Sequence, residues 1–174
     1  ITAVLALHDR EETLRLAQDV TVMSEGRIIQ TGTTAQIFNQ PQSEFVANFV
    51  GTETILEGTV QFIRSGLMEV LVSGKTVEAT GNVPAGQKVF CCIRPENIVV
   101  GREAPENTSA RNIYEARIQK MVRQAFFYKL VLDCGFPLVA YLTVSSCEDL
   151  GLCEGARVFA SVKATAVHVM RREP

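Results

Sequence analysis

The chain has 174 residues, 47% of them hydrophobic and 21% charged. That length allows one domain or two small ones, and the composition excludes a disordered chain. A formal net charge of −2 gives no bulk attraction to polyanions, so no nucleic-acid partner is expected.

The first residues lack a basic leader and a small-residue cleavage site, so no secretory signal is expected. No apolar run approaches the roughly 18 residues a membrane helix needs, so membrane association would have to come through a partner subunit. Five cysteines (Cys91, Cys92, Cys134, Cys147, Cys153) form no Cys-x-x-Cys, and the two histidines lie far apart. No metal site is expected; free thiols, mostly buried, in a reducing compartment are.

In chain order, Thr2 to Leu7 is a short apolar run that reads as a buried strand. Asp9 with Glu12 has the form of a capping box, predicting a helix to about Gln18. Val20–Met23, Ser24-Glu25-Gly26 and Arg27–Gln30 predict a β-hairpin with glycine in its turn. Thr33 with Gln36 repeats the capping-box pattern and starts a helix that stops before Pro41. Ser43 begins another, running to Val50, with Phe45 and Phe49 one turn apart. Fifty residues cannot build a core for these helices alone.

After Gly51 short alternating runs separated by glycine, proline and asparagine predict small β-barrels. A repeat is visible. Gly86–Val100 aligns without gaps on Gly155–Val169, with glycines, Val-Phe pairs and a basic residue (Arg94, Lys163) coinciding. Upstream, Glu57-Gly58-Thr59-Val60 resembles Glu115-Ala116-Arg117-Ile118. The polar segment Gly101 to Thr108 is the natural linker. The second copy adds Ser145 to Leu152, which reads as a short helix capped at both ends, with serine before paired acids.

Residues Leu5 to Gly51 resemble the end of the nucleotide-binding domain of importer-type ABC transporter ATPases. The resemblance is carried by Leu7-His8-Asp9 with Glu11-Glu12, Val22–Ile28, Gly32-Thr33, Ile37-Phe38-Asn39-Gln40-Pro41 and Phe45–Gly51. It implies that His8 is the switch histidine, which contacts the γ-phosphate of ATP held between two such domains and is inactive in isolation. It also implies that the Walker A loop, signature motif and Walker B strand lie ahead of residue 1. ATP and Mg would then belong to a parent ATPase only, and this chain is not expected to be an enzyme by itself.

Residues 55 to 173 resemble the accessory barrels that follow these ATPases, the TOBE domains, with Ile93-Arg94-Pro95-Glu96-Asn97-Ile98 as a closing strand. Three motifs of the second copy resemble a molbindin (Mop) domain: Ser109-Ala110-Arg111-Asn112, Leu142–Ser146 before a short helix, and Val162-Lys163-Ala164-Thr165. Molybdate or tungstate is the ligand this implies. Arg123–Tyr128 departs from the family, being bulky and aromatic where small or polar residues are usual.

A doubly charged tetrahedral oxyanion needs several donors and one or two cations. The expected set is Ser109, Ala110, Arg111, Asn112, Thr143, Ser145, Ser146, Lys163, Ala164 and Thr165. It combines hydroxyls, backbone amides, an ammonium and an expected helix start. Three members also have a plainer reading: Ser146 as a cap, Lys163 as a solvated edge charge, Arg111 paired with Glu115. His168 reads as an exposed strand residue. Phe126, Phe127, Tyr128, Phe136 and Tyr141 read as barrel core or subunit interface rather than as a base-stacking platform.

The expected fold is mainly β: tandem OB-like (TOBE/Mop) barrels over 52–104 and 105–174, preceded by an α/β remnant over 1–51. The expected function is the C-terminal regulatory part of an ABC importer ATP-binding protein, cytoplasmic and peripheral on the inner face of the cell membrane. It would work as a homodimer with transmembrane permease subunits and be inhibited by accumulated molybdate or tungstate. The alternatives are barrels with a purely structural or docking role in a sugar-, polyamine- or iron-type importer, and a free-standing oxyanion storage protein.

Overall fold

A computed structural model describes residues 3–172, and the chain divides into two compact units, 1–51 and 52–174. In the first unit, α1 (Arg10–Leu16) starts at Asp9, whose carboxylate accepts the Glu12 N–H at 2.9 Å. That bond holds the Asp9 carboxyl below its ordinary range. The helix ends two residues earlier than expected, because Ala17 is already extended.

The hairpin forms from β1 (Asp19–Ser24) and β2 (Arg27–Thr33) around Glu25-Gly26. Both turn residues have positive φ, 50° and 74°, which is the primed turn that matches strand twist. A complete capping box of Thr33 and Gln36 starts α2 (Thr34–Asn39), and Ser43 caps α3 (Glu44–Phe49). Val22, Ile37, Phe38, Val46 and Val50 form a small core with Val20 and Phe49 against it; Phe45 is exposed.

The strand expected over Thr2 to Leu7 does not form: Thr2 lies outside the described residues, and 3–9 has no regular structure. Val4 is 96% and Leu5 59% exposed. An apolar run becomes a strand only with a ladder partner, and β1 and β2 are paired with each other.

The second unit holds two five-stranded antiparallel sheets built on the repeat. β3 (Thr54–Arg64), β4 (Leu67–Val72), β5 (Lys75–Thr80) and β6 (Lys88–Ile93) come from the first copy. A 3-10 turn (Pro95–Asn97) and β7 (Val99–Gly101) follow. The second copy gives β8 (Asn112–Arg123), β9 (Phe127–Asp133), β10 (Pro137–Thr143), α4 (Val144–Asp149) and β11 (Arg157–Val162). It closes with a 3-10 turn (Ala164–Ala166) and β12 (Val167–Arg171). The correspondence extends to irregularities: β3 is bulged after Val60 and β8 after Ile118, the aligned position.

The copies exchange their last strands. The sheets run β12-β6-β3-β4-β5 and β10-β9-β8-β11-β7, so each copy completes the other's sheet. One continuous core runs through both, from Leu56, Val60 and Met68 to Leu130, Leu132 and Val158. The linker near residue 105 therefore separates two repeats of sequence without separating two cores.

The tandem β architecture is as the alternation predicts. Phe136 is core, edge-on to Tyr114 with centroids 5.1 Å apart. Phe126, by contrast, is 87% exposed at the tip between β8 and β9. Among the described residues all five cysteines are free thiols, with only Cys153 exposed. No helix there is long and apolar enough to cross a membrane, and no group of three His, Cys, Asp or Glu side chains is placed to hold a metal ion.

Candidate functional site

The β8–β11 ladder decides which expected residues meet. It ends on the pair Asn112–Val162, so the next residues outward, Arg111 and Lys163, stand across from each other where the strands part. The opening and closing motifs of the second copy thus share one end of the fold. Both also lie against β5: Asn112 and Arg111 bond to Glu78, and the 3-10 turn after Lys163 packs on the same strand.

Asn112 is 2% exposed and acts as an extra rung. Its Oδ1 accepts the Glu78 N–H at 2.7 Å and its Nδ2 donates to the Glu78 carbonyl at 2.8 Å. The Tyr114 hydroxyl lies 3.0 Å from the same Oδ1 and 2.9 Å from the Thr76 carbonyl. Burial raises that phenol's pKa. The Asn112 amide is therefore spent on holding β8 to β5, since a buried amide left unpaired would cost about 1–3 kcal/mol.

Arg111 donates Nε to Glu78 Oε2 at 2.9 Å, not to Glu115, which pairs with Arg157 at 3.0 Å. The Arg111 side chain stays 60% exposed, so the rest of its guanidinium faces solvent. Lys163 is exposed at the start of its 3-10 turn without a side-chain capping bond. Ser109 and Thr165 are exposed, Ala164 is buried, and the Ala110 N–H is taken by Thr108 Oγ1 at 3.1 Å.

The third motif is differently employed. Thr143, not a serine, caps α4: its Oγ1 accepts the Ser146 N–H at 3.1 Å and lies 2.8 Å from Ser146 Oγ. Ser145 is exposed. α4 has only six residues and packs on β9 and β10, and β10 lies against the first copy's 3-10 turn. Two of the three motifs converge through β5, whereas the third is carried on β10.

A shallow depression of about 330 Å³, lined by Lys75, Glu115, Ala116, Arg117, Cys134, Gly135 and Arg157, includes none of the expected residues. Its cations are largely committed: Arg157 to Glu115, and Arg117 to the Gly155 carbonyl at 3.0 Å. In the first unit His8 is exposed within the irregular segment before α1. His168 is half-buried on β12, opposite Cys92.

Residues 108–169 match the TOBE domain family. Over 97% of its length the chain is 37% identical to the molybdate/tungstate import ATP-binding protein WtpC of Pyrococcus horikoshii, of which it covers 47%. The chain is a TOBE-bearing relative of ABC importer ATP-binding subunits. It spans about half the length of the molybdate/tungstate relatives it matches. A spermidine/putrescine import ATP-binding protein PotA of Thermobifida fusca is 36% identical over 64% of the chain and 29% of its own length. Among solved structures, the cytoplasmic molybdate-binding protein ModG with molybdate bound superposes with a TM-score of 0.65. It has 20% identity and covers 70% of this chain and 97% of its own. At that identity the likeness establishes the fold alone: the two-copy β unit shares the ModG architecture.

Sequence reading missed Glu78, and with it the role of Asn112. The signal was available only as topology, because Glu78 and Asn112 belong to different copies and meet across the two sheets. It also missed Glu53, Lys129 and Tyr141. The Glu53 carboxylate pairs with the Lys129 ammonium and accepts from the Tyr141 hydroxyl. Extending the alignment of Glu57 with Glu115 four residues back would have set Glu53 beside Arg111.

Proposed function

We propose that the chain is the regulatory portion of an ABC importer ATP-binding protein for molybdate or tungstate, and that the end of the fold carrying Arg111 and Lys163 binds the oxyanion. The observation that carries this reading is the ladder end at Asn112–Val162, where Arg111 and Lys163 are the next residues outward on the two strands and Arg111 pairs with Glu78. Charge-assisted bonds from such groups are the strong ones available to an oxyanion. Ser109 and Thr165 add hydroxyls. On this reading ATP, Mg and hydrolysis would belong to the remainder of such a protein, with His8 as the γ-phosphate contact, in keeping with the 47% of the molybdate/tungstate relative that the chain covers. The whole would be a homodimer on the cytoplasmic face of the membrane, docked on permease subunits.

Regulation then follows from linkage. An anion bound tenfold more tightly by one arrangement of the dimer shifts the balance by about 1.4 kcal/mol, and without such a difference it regulates nothing. A polyamine importer's barrels would have no use for a site built on Arg111 and Lys163, since cationic side chains repel a polycation.

Titration calorimetry of the chain with molybdate, tungstate, sulfate and spermidine tests the proposal. The expected result is binding of molybdate or tungstate, weaker sulfate, no spermidine, and at least tenfold loss in Lys163→Ala. Equal affinity of wild type and Lys163→Ala would overturn the site; no oxyanion binding at all would overturn the function.

A further inference from the structure

The strand exchange gives the molecule two equivalent ends. At the other one the β3–β6 ladder closes on Thr54–Ile93, so Glu53 stands across from Arg94 as Arg111 stands across from Lys163. The supporting bond is repeated too: the Thr54 hydroxyl accepts the Val139 N–H of β10 at 3.0 Å, as Asn112 accepts that of Glu78 in β5.

Both ends keep a cation, Arg94 or Lys163, but the residues around it differ. Where the second copy has Arg111, the first has Glu53, already paired with Lys129 and Tyr141. Where it has Ala164 and Thr165, the first has Pro95 and Glu96. Proline removes an amide donor, and Glu96 adds a carboxylate 3.9 Å from Arg94. Each of these three substitutions, Arg111 to Glu53, Ala164 to Pro95 and Thr165 to Glu96, removes a donor or adds negative charge. Arg94 still keeps one buried nitrogen, Nη2, without a hydrogen-bond partner, so a donor remains, with the Glu96 carboxylate already beside the guanidinium.

We infer that the first-copy end is an oxyanion site closed from within, with the Glu53 carboxylate standing in the anion's place, so that each chain takes one oxyanion rather than two. Glu53 is thereby the residue that sets the stoichiometry. Its carboxylate supplies the Lys129 ammonium with the partner a ligand would otherwise provide. The inference rests on the oxyanion reading of the Lys163 end and is testable apart from it.

Calorimetry with tungstate on wild type, Lys163→Ala, Arg94→Ala and Glu53→Gln separates the two. The expected wild-type value is one tungstate per chain, lost in Lys163→Ala and unchanged in Arg94→Ala. Two per chain, one lost in each of those variants, would overturn the closed end while leaving the oxyanion reading intact. No binding in wild type would overturn both. Glu53→Gln is expected to add a second, weaker equivalent. Binding at the Lys163 end is the control that this variant has folded, and a folded variant still limited to one equivalent would overturn Glu53 as the closing group.

Discussion

The two units solve the problem of burial differently. In the second, nearly every inward strand residue reaches full burial, because each repeat lends its last strand to the other and 28 buried residues form a single core. In the first, five buried residues make the core, while Val4, Leu5, Leu14, Leu16 and Ile28 are each more than half exposed. Similar local signals, caps and tight turns, operate in both. What differs is whether the chain itself supplies the opposing face, and fold-level closure rather than local propensity decides it.

The sharpest way to break that contrast is to remove β12. Ending the chain at Ala166 deletes the strand that pairs with β6, leaving the buried Ile93 and Cys91 with an open sheet edge. Val167 and Met170 leave the core with it. Two buried side chains and a ladder amount to several kcal/mol, comparable with the total stability of a domain. The expected outcome is loss of the whole second unit in one step, the first copy included, although every residue deleted belongs to the second. Proteolysis or amide exchange showing residues 54–93 still protected would refute the exchange. α2 and α3 of the first unit should keep their protection.

The elements of the second unit were legible because alternation and the gapless repeat are local properties, as were the caps at Asp9, Thr33 and Ser43. The exchange was not, since β7 and β12 read identically whichever sheet receives them. The apolar run at Thr2 to Leu7 misled for the converse reason: hydrophobicity announces a wish for burial but not the partner. At the candidate site, Arg111 and Lys163 were legible as charges, and their meeting followed from the strands that bear them. The spent amide of Asn112 was illegible, because Glu78 lies 34 residues away in another sheet. Thr143 could have been recognised as the cap from its place three residues before Ser146, the spacing already read at Thr33.

Alkaline pH should separate the units by a smaller margin. Burial pushes the Cys91 thiol from 9.0 up to about 12, and that of Cys134 up to about 11, where the Lys75 ammonium opposes the rise and Asp133 adds to it. Both folded values lie above the ordinary one, so the folded state retains protons that the unfolded chain gives up. Their stabilisation is complete below pH 9 and declines as pH rises toward 11 and 12. The slope is about 1.4 kcal/mol per pH unit for each thiol. Urea unfolding between pH 8 and 11 should show it, and Cys91→Ala should reduce the slope even though the lost side chain lowers the starting stability. A slope unchanged by Cys91→Ala would remove the thiol as its source. In the first unit the sign reverses: Asp9 is held low by the Glu12 N–H, so its help to α1 is lost on acidification.

The smallest effect concerns the capping box of α2. Thr33 Oγ1 accepts the Gln36 N–H at 3.2 Å, while Gln36 Oε1 accepts the Thr33 N–H at 2.9 Å. Thr33→Ala removes the first bond and leaves the second, at a cost of about 1 kcal/mol. In a unit with five buried core residues that is a large share of what holds Ile37 and Phe38 in place. The same loss beside the 28-residue core would pass unnoticed. Amide exchange should therefore quicken across α2 and β2 in Thr33→Ala, with β3 to β12 unchanged. Thr143→Ala, which removes the cap of α4, should cost a similar amount but leave the protection of β8 and β9 at its wild-type level. Uniform quickening of both units in Thr33→Ala would mean that they unfold as one body, and the contrast between a borrowed face and a self-supplied one would fail.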